Sequence, residues 1–365
     1  MSLQDKIILI TGGAGFIGSN LVRSLNSVGI DNIIIIDNFH NCTNDKWKNL
    51  IGLKYLHLED LNTDGTDSSL FKTRKLNKNL VPTADIIVHL GALNNTVERD
   101  FGKFFNLNIQ FTRNILQAAL TNKQCKKFIY ASSASTYGNM DKFDDTQPIE
   151  SLKPTNAYGM SKQSIDELIF STMLTKLDLD YSKKMDIVGL KFSNVFGIGE
   201  QHKIGYSSFP YKVLTMMSNP LQYSKDGRVK VNIFSEPDKL MSRDFVYIND
   251  VVDRIFYLMD FDIKRNTIYN VGSGFSIEWD DLFYKIYKAF FNKVKYPEHY
   301  NISVVPNFIP IPHNIKAGYQ YHTEMNMNKF DTDYPKFEYL DQKTFKNADE
   351  YYDSRIKLFV EKFIG

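Results

Sequence analysis

Tyr158 and Lys162 stand four residues apart, and within a helix that spacing sets a phenol and an ammonium on one face. A phenol has an ordinary pKa near ~10 and is a poor base at neutral pH. A lysine cation a few ångströms away favours phenolate, which lets Tyr158 take a proton from a hydroxyl group. Ser133, 25 residues earlier at the end of an apolar run, can give a second hydrogen bond to the same oxygen. Tyr-x-x-x-Lys also arises by chance. The pair gains weight only if neighbouring elements bring an oxidant to that hydroxyl carbon.

The first forty residues describe such an element. Ile7 to Ile10 form an apolar run of the kind buried on both faces of a parallel sheet. Gly12, Gly13, Gly15 and Gly18 follow, and Leu21, Val22 and Leu25 then recur at helical spacing. Strand, glycine turn and helix in that order predict a dinucleotide-binding βαβ unit. The turn must be tight, the backbone must approach a pyrophosphate, and the helix N-terminus must offer free N–H groups. Gly12, Gly15, Phe16, Ile17 and Gly18 are the residues expected there. A second apolar run, Ile33 to Ile36, ends in Asp37, 19 residues beyond Gly18. A carboxylate there can accept from ribose hydroxyls, which favours NAD; Asn38 follows it at the same strand end.

Further elements complete the frame. Tyr55 to Leu58 reads as a third strand, ending at Glu59-Asp60-Leu61; Asp60 and Leu61 are placed either beside an adenine or in a plain turn. Residues 62–82 are polar and lysine-rich, a surface insertion. Asp85 to Leu90 make a fourth strand, in which His89 reads as a satisfied core histidine. Gly91 and Ala92 are small enough there for a cofactor to pass. Phe104 to Leu120 read as one helix, with Asn108 reaching toward the cofactor. Phe128 to Tyr130 lead into Ser132-Ser133, a helix from Ala157 carries Tyr158 and Lys162 through Ile169, and Asp186 to Phe192 form another strand. This order predicts an α/β protein with a Rossmann doubly wound parallel sheet over residues 1–197, its crevice at the strands' carboxyl ends. Residues 198–365 predict a smaller mixed α/β lobe for substrate, with some segments returning to the sheet. It has helices near 207–217, 250–259 and 279–291, and a strand at 229–234. Pro306, Pro310 and Pro312 are expected to break up an extended segment.

Composition narrows the partners. The chain has 365 residues and a net charge of +2, from 44 basic and 42 acidic side chains, which gives no support for nucleic acid or a membrane surface. Cys42 and Cys125 are too few for a disulfide framework or a zinc cluster, so no metal site is expected and a reducing cytoplasm fits. No apolar run approaches the ~20 residues needed to span a bilayer. The first strand starts so early that no signal peptide is expected, and a homo-oligomer is.

Several motifs carry a resemblance. Thr11-Gly-Gly-Ala-Gly-Phe-Ile-Gly18, Ser132-Ser133, Tyr158-x-x-x-Lys162 and Arg243-Asp-Phe-Val-Tyr247 resemble the extended short-chain dehydrogenase/reductases that modify nucleotide sugars. Ala131 to Gly138, Asn156 to Lys162, Phe192 to Gly197, Glu200-Gln-His-Lys203 and Ile309-Pro-Ile-Pro with Gly318-Tyr-Gln320 are similar to the ADP-glyceromanno-heptose 6-epimerases within that group. The resemblance implies transient oxidation of one sugar carbon by a tightly bound nicotinamide cofactor. It leans to NADP over NAD, with Lys46 as the partner of a 2′-phosphate. It also implies catalytic roles for Tyr158, Lys162, Ser133 and, on the opposite face, Lys203. Ser133, Asn194, Lys203, Lys212, Phe234, Arg243 and Tyr319 are then the substrate contacts, with Arg243 a clamp on the diphosphate; a plain alternative for Arg243 is an ion pair with Asp244. Rival readings are a nucleotide-sugar 4-epimerase, a dehydratase or a non-catalytic dinucleotide sensor. Ser133-Ala134-Ser135 lacks the acid pair a dehydratase carries, and a sensor is expected to lose Tyr158 or Lys162.

Overall fold

A computed structural model describes residues 3–39, 45–61, 83–121, 124–173, 185–203, 205–224, 227–261, 266–296, 302–341 and 343–365, with backbone alone at 171–173. The lysine-rich insertion expected at 62–82 lies outside the described residues.

The apolar runs become strands because only a sheet covered on both faces hides every side chain of such a run. β1 (Ile8–Thr11), β2 (Ile33–Asp37) and β4 (Ile86–His89) are buried at every position. Together with β3 (His57–Asp60), β5 (Lys127–Ser133), β6 (Asp186–Phe192) and β10 (Thr267–Val271) they form one parallel sheet in the order β10-β6-β5-β4-β1-β2-β3. Alternate residues serve opposite faces. Ile8, Ile10, Ile33 and Ile35 meet Leu21 and Leu25 of α1 (Phe16–Ser27) on one side. Leu9, Ile34, Ile36 and Ile87 meet Ile115 and Leu116 of α2 (Phe111–Thr121) and Ile165 of α3 (Ala157–Glu167) on the other. Strand order reverses between β1 and β4, so the crevice opens there.

Three boundaries differ from the sequence reading. The third strand lies two residues later than Tyr55–Leu58, because pairing with β2 runs from Ile34↔His57 to Asp37↔Asp60. It is an edge strand, and its side chains are mostly exposed, which leaves little apolar pattern to read. The helix expected as one piece over 104–120 has a short turn at Phe101–Phe104 and a π-helical stretch at Phe105–Gln110 before α2. Asn108 sits in that stretch, fully buried, where the widened turn lets its amide bond sideways. Pro306 breaks nothing: Ser303–Ile309 is β12, parallel to β8 (Arg228–Phe234) in a two-stranded sheet, where an edge position tolerates the missing donor.

The second half supplies β10 to the main sheet and α5 (Ile248–Asp260) to the face that α1 covers. β7 (Asn194–Phe196) pairs with β9 (Ser242–Tyr247), which pairs in turn with β11 (Ser276–Glu278). α4 (Phe209–Ser218) and α6 (Trp279–Phe291) flank these strands. The C-terminal helix α7 (Ala348–Ile364) holds β9 in place: Tyr352 and Tyr351 hydroxyls accept from the Phe245 and Tyr247 N–H groups at 3.0 and 2.9 Å. No helix among the described residues is long and apolar enough to cross a membrane.

That helix is locked by charge. Arg355 and Asp250 are each 1% exposed and meet at 2.5 Å, with a second bond at 2.9 Å from Nε. Removing one partner of such a pair strands the other charge in an apolar setting. Arg355→Met is therefore expected to lower unfolding free energy by about 3–5 kcal/mol, measured by urea denaturation. A loss within error of zero would show that α7 is held by its aromatic contacts alone.

Candidate active site

The glycine turn is shaped by close approach. Gly12 has φ +70°, and a Cβ on it would lie 2.8 Å from the Gly91 nitrogen. A Cβ on Gly18 would lie 2.3 Å from the Gly12 carbonyl oxygen, so only glycine lets α1 start this near β1. Gly15 is the N-cap of α1 and brings no side chain to its first N–H groups; Phe16 and Ile17 open the helix. Asp37 ties the end of β2 to this turn. Its carboxylate accepts from the Ala14 N–H at 2.8 Å, the Asn38 N–H at 2.7 Å and the Lys46 ammonium at 2.6 Å. Lys46 also donates to the Asn38 carbonyl at 2.8 Å. Asp60 accepts from the Phe39 N–H, and the Leu61 N–H reaches the Asp37 carbonyl. Gly91, beside Ala92, is held by Thr11 Oγ1 at 3.0 Å.

This strand-end set fits a dinucleotide: a turn without side chains, an uncapped helix N-terminus and a carboxylate at the second strand's end. Asn108 has a different placement. Its amide is engaged by Leu93 N–H and carbonyl and by Ser161 Oγ, at 2.7, 3.0 and 3.0 Å, so it fixes the loop after β4 to α3. His89 is the core histidine expected, bonded to Thr11 Oγ1 and Thr112 Oγ1 and pushed down to about 3 by burial first and by Lys162 second.

The proton-handling residues meet at the end of β5. Asn156 caps α3 by accepting from the Gly159 N–H, and Gly159 lets the helix approach the Ser135 carbonyl. Tyr158 then lies with its hydroxyl close to that of Ser133. Lys162 donates to the Ala131 carbonyl at 2.8 Å, with its Nζ 6.0 Å from the Tyr158 ring centre. The expected lowering of the Tyr158 phenol by Lys162 is not what the chain's own groups produce. Burial pushes the phenol up, and the nearby Ser133 hydroxyl offsets part of this. Lys162 instead is pushed down to about 8 by burial, against the opposing pull of Asp166.

A second group of residues approaches from the other lobe. Lys203 has its ammonium 4.2 Å from the Phe16 ring centre and 3.5 Å from Glu200 Oε2, with its side chain 20% exposed. Burial lowers its pKa, and Glu200 works against that. The same loop carries Tyr206, whose hydroxyl lies 3.4 Å from Asn95 Nδ2 in the loop after β4. Arg243 is 6% exposed, its guanidinium centred 4.9 Å from the Tyr319 ring and 5.8 Å from the Trp279 ring. Tyr319 in turn meets Phe234 edge-on at 5.8 Å. Arg243 makes no surface ion pair with Asp244. That buried carboxylate accepts instead from Ser273, Gly274 and Met325 N–H groups at 2.8, 3.1 and 3.1 Å. Gln320 donates to the Gly138 carbonyl at 2.6 Å, holding the Tyr319 segment to the loop that follows Ser133. Asn194 at the start of β7 and Lys212 on α4 have exposed side chains.

Trp279 escaped the sequence reading. Its Nε1 and the Tyr319 hydroxyl are buried polar atoms without a hydrogen bond of ordinary geometry, although that hydroxyl lies close to the Arg243 guanidinium. Both residues have their rings within 5.8 Å of the Arg243 guanidinium centre. Nothing in the sequence around Trp279 distinguishes it from a core tryptophan opening a helix. No group of three or more His, Cys, Asp or Glu that could hold a metal ion occurs among the described residues.

A dinucleotide cradle facing a serine–tyrosine–lysine set is the site of a nicotinamide-dependent enzyme. Residues 8–272 match the model of the NAD dependent epimerase/dehydratase family, and the chain belongs to that family. The ADP-L-glycero-D-manno-heptose-6-epimerase of Nitratidesulfovibrio vulgaris (strain DP4) is 32% identical over 326 residues, covering 88% of this chain and 90% of that protein. The crystal structure of the Helicobacter pylori ADP-L-glycero-D-manno-heptose-6-epimerase matches with a TM-score of 0.70 at 25% identity, over 100% of this chain and 98% of that one. The UDP-N-acetylglucosamine 4-epimerase from Methanobrevibacter ruminantium M1 also gives 0.70, at 23% identity and 99% of both chains, a likeness of fold alone.

Because the Gly12 carbonyl cannot yield to a Cβ at Gly18, Gly18→Ala is expected to push α1 off β1. Dinucleotide binding measured by calorimetry should then fall by at least tenfold. Unchanged affinity would show that the turn is not the phosphate cradle.

Proposed function

We propose that the protein is an ADP-glyceromanno-heptose 6-epimerase that inverts one carbon by oxidising and re-reducing it within a single site. The reading rests on two groups able to carry a proton at neighbouring strand ends. Tyr158 stands with Ser133 at the end of β5, and Lys203 stands over Phe16 beyond the end of β1, with β4 between the two strands. The 32% identity to heptose epimerases over most of the chain supports the choice of sugar.

The bound nicotinamide ring supplies the hydride acceptor, the hydride's return and a positive charge that favours phenolate. Gly12, Gly15, Phe16, Ile17, Gly18, Asp37 and the Gly91-Ala92 strand end would hold the dinucleotide. Tyr158 takes the proton from the sugar hydroxyl, and Ser133 keeps the oxygen in line. Lys162, held by the Ala131 carbonyl, fixes the electrostatics beside the ring of Tyr158. Once the carbon is a ketone and the sugar has turned, Lys203 gives the proton on the other face. Arg243 binds the diphosphate between the rings of Tyr319 and Trp279, and Asn194, Lys212 and Phe234 line the sugar-nucleotide path. A 4-epimerase shares Tyr158, Ser133 and Lys162 but leaves Lys203 without a task.

The test separates the two faces. Tyr158→Phe is expected to lower turnover of ADP-glyceromanno-heptose by ~10²–10⁴-fold with dinucleotide affinity nearly unchanged. Lys203→Met is expected to abolish epimerisation and yet reduce a 6-keto analogue to one configuration. Both configurations appearing at the wild-type rate would remove Lys203 from the reaction, and the heptose reading with it.

NADP is the preferred cofactor on this reading. Lys46 neutralises Asp37, the group that would repel a 2′-phosphate, and its ammonium lies at the same strand end. Lys46→Met is expected to weaken NADP binding by tenfold or more and NAD binding by less than threefold, by fluorescence titration. Equal losses for both would assign the strand end to NAD.

A further inference from the structure

Four consecutive residues at the end of β5 engage three successive rungs of α3. Tyr130 donates to Asp166 Oδ1 at 2.8 Å, and Ser132 donates to Asp166 Oδ2 at 2.8 Å. Between them the Ala131 carbonyl accepts from Lys162, and Ser133 lies close to Tyr158. Tyr158, Lys162 and Asp166 are spaced four apart and so share one face of the helix. The third rung belongs to no step described above, yet it is the most deeply buried.

Asp166 is 0% exposed, and Lys191 from β6 reaches its Oδ2 at 2.9 Å. Lys191 also donates to Thr136 Oγ1 at 2.7 Å and lies 5.1 Å from the Tyr137 ring centre. A carboxylate this deep is tolerated only where its charge and its lone pairs find partners. Here one ammonium and two hydroxyls are those partners. Lys162 is answered by one backbone carbonyl, which carries no formal charge.

We propose that the Asp166–Lys191 pair is the positioning element of the active site: Asp166 holds Lys162 as an ammonium beside Tyr158, and Lys191 anchors Asp166 in place by a buried ion pair. The proposal rests on the reading of Tyr158 and Lys162 as the proton-handling pair. The groups that face Lys162 are Tyr158 and Asp166 on its own helix, Tyr130, Ser132 and Ser133 on β5, and His89 on β4. Burial keeps His89 neutral, so it neither supports nor opposes that charge at neutral pH. Lys191 on β6 acts through Asp166. Burial draws Lys162 down to about 8, and Asp166 is the group that resists the fall. Without it the ammonium would be lost at a lower pH, and the alkaline limb of activity would move with it.

The experiment titrates Lys162 directly. Protein labelled with 13C at the lysine ε position is followed by NMR from pH 6 to 10, with the Lys162 signal assigned from Lys162→Met. Asp166→Asn/Lys191→Met removes both charges together and leaves no stranded ion. Its Lys162 midpoint is expected to fall by about one pH unit or more, with the alkaline limb of kcat/KM falling equally. Lys191→Arg is expected to keep both near the wild-type values. If the double variant fails to fold, Asp166→Asn alone keeps the hydrogen-bonding shape, and the same titration decides. An unmoved midpoint with a lowered melting temperature would reduce the pair to a staple between helix and sheet and overturn the proposal. A moved midpoint in a protein whose Tyr158→Phe variant stays fully active would support the pair's hold on Lys162 and overturn the reading of the reaction.

Discussion

The contact between Gly18 and the Gly12 carbonyl governs more of this protein than the turn that contains it. It sets how near α1 lies to β1, and α1 is the element on which the second lobe is built. Asn20 on that helix donates to the Ile198 carbonyl at 2.8 Å, fixing the start of the loop that leads to Lys203. Asn49 donates to the Ala14 carbonyl at 3.0 Å and lies 3.1 Å from His202 Nδ1, fixing the loop a second time. Phe16, first residue of α1, then lies under the Lys203 ammonium. One missing Cβ thus sets both the turn at the end of β1 and the seat of Phe16 beneath Lys203.

Two buried aspartates show how the fold orients cations by different means. Asp250 binds Arg355 directly and so spends that guanidinium on architecture. Asp244 is next to Arg243 in sequence but is satisfied by backbone N–H groups and by the Ser193 and Ser273 hydroxyls. Its lone pairs are answered without a cation, and burial pushes its carboxyl up. Arg243 is left to stack between aromatic rings, with an Nη1 bond to its neighbour's carbonyl, rather than being neutralised in place. A guanidinium kept unpaired by carboxylates is suited to meet a diphosphate.

The main sheet was legible in the sequence because burial on both faces leaves uninterrupted apolar runs. The glycine turn, Asp37, Ser133, Tyr158 and Lys162 were legible because their spacing follows from strand, turn and helix geometry. Edge elements were not. β3 has no apolar face to declare itself, and β12 keeps a proline that an inner strand would reject. The π-helical stretch before α2 depends on the Asn108 bonds to Leu93 and Ser161, 15 and 53 residues away, and no local pattern encodes those contacts. The upward shift of the Tyr158 phenol was also beyond a spacing argument, since it comes from burial by many groups. Asp166 and Lys191 were within reach: one continues the Tyr158–Lys162 ladder, and the other interrupts the buried run from Ile187 to Phe192. A charge inside a buried run is as readable as a glycine once its partner is sought at helical spacing.

The three lysines near the crevice form a series in how tightly each charge is held. Lys191 is 3% exposed and meets a carboxylate at 2.9 Å and a hydroxyl at 2.7 Å, so moving its proton would strand Asp166. Lys162 has a carbonyl partner and feels Asp166 through charge alone, which fixes its position while leaving its ionisation adjustable. Lys203 is the loosest: its carboxylate partner is 3.5 Å away, and that partner, Glu200, is already engaged by the Ser208 N–H and hydroxyl at 2.7 and 2.6 Å. Glu200 keeps those two bonds whatever the ammonium does. On the proposed reading the lysine with the longest ion-pair contact is the one that hands a proton to the sugar oxygen. The lysine whose departure would strand a buried carboxylate belongs to the frame, and the one held only in part sets the field between them.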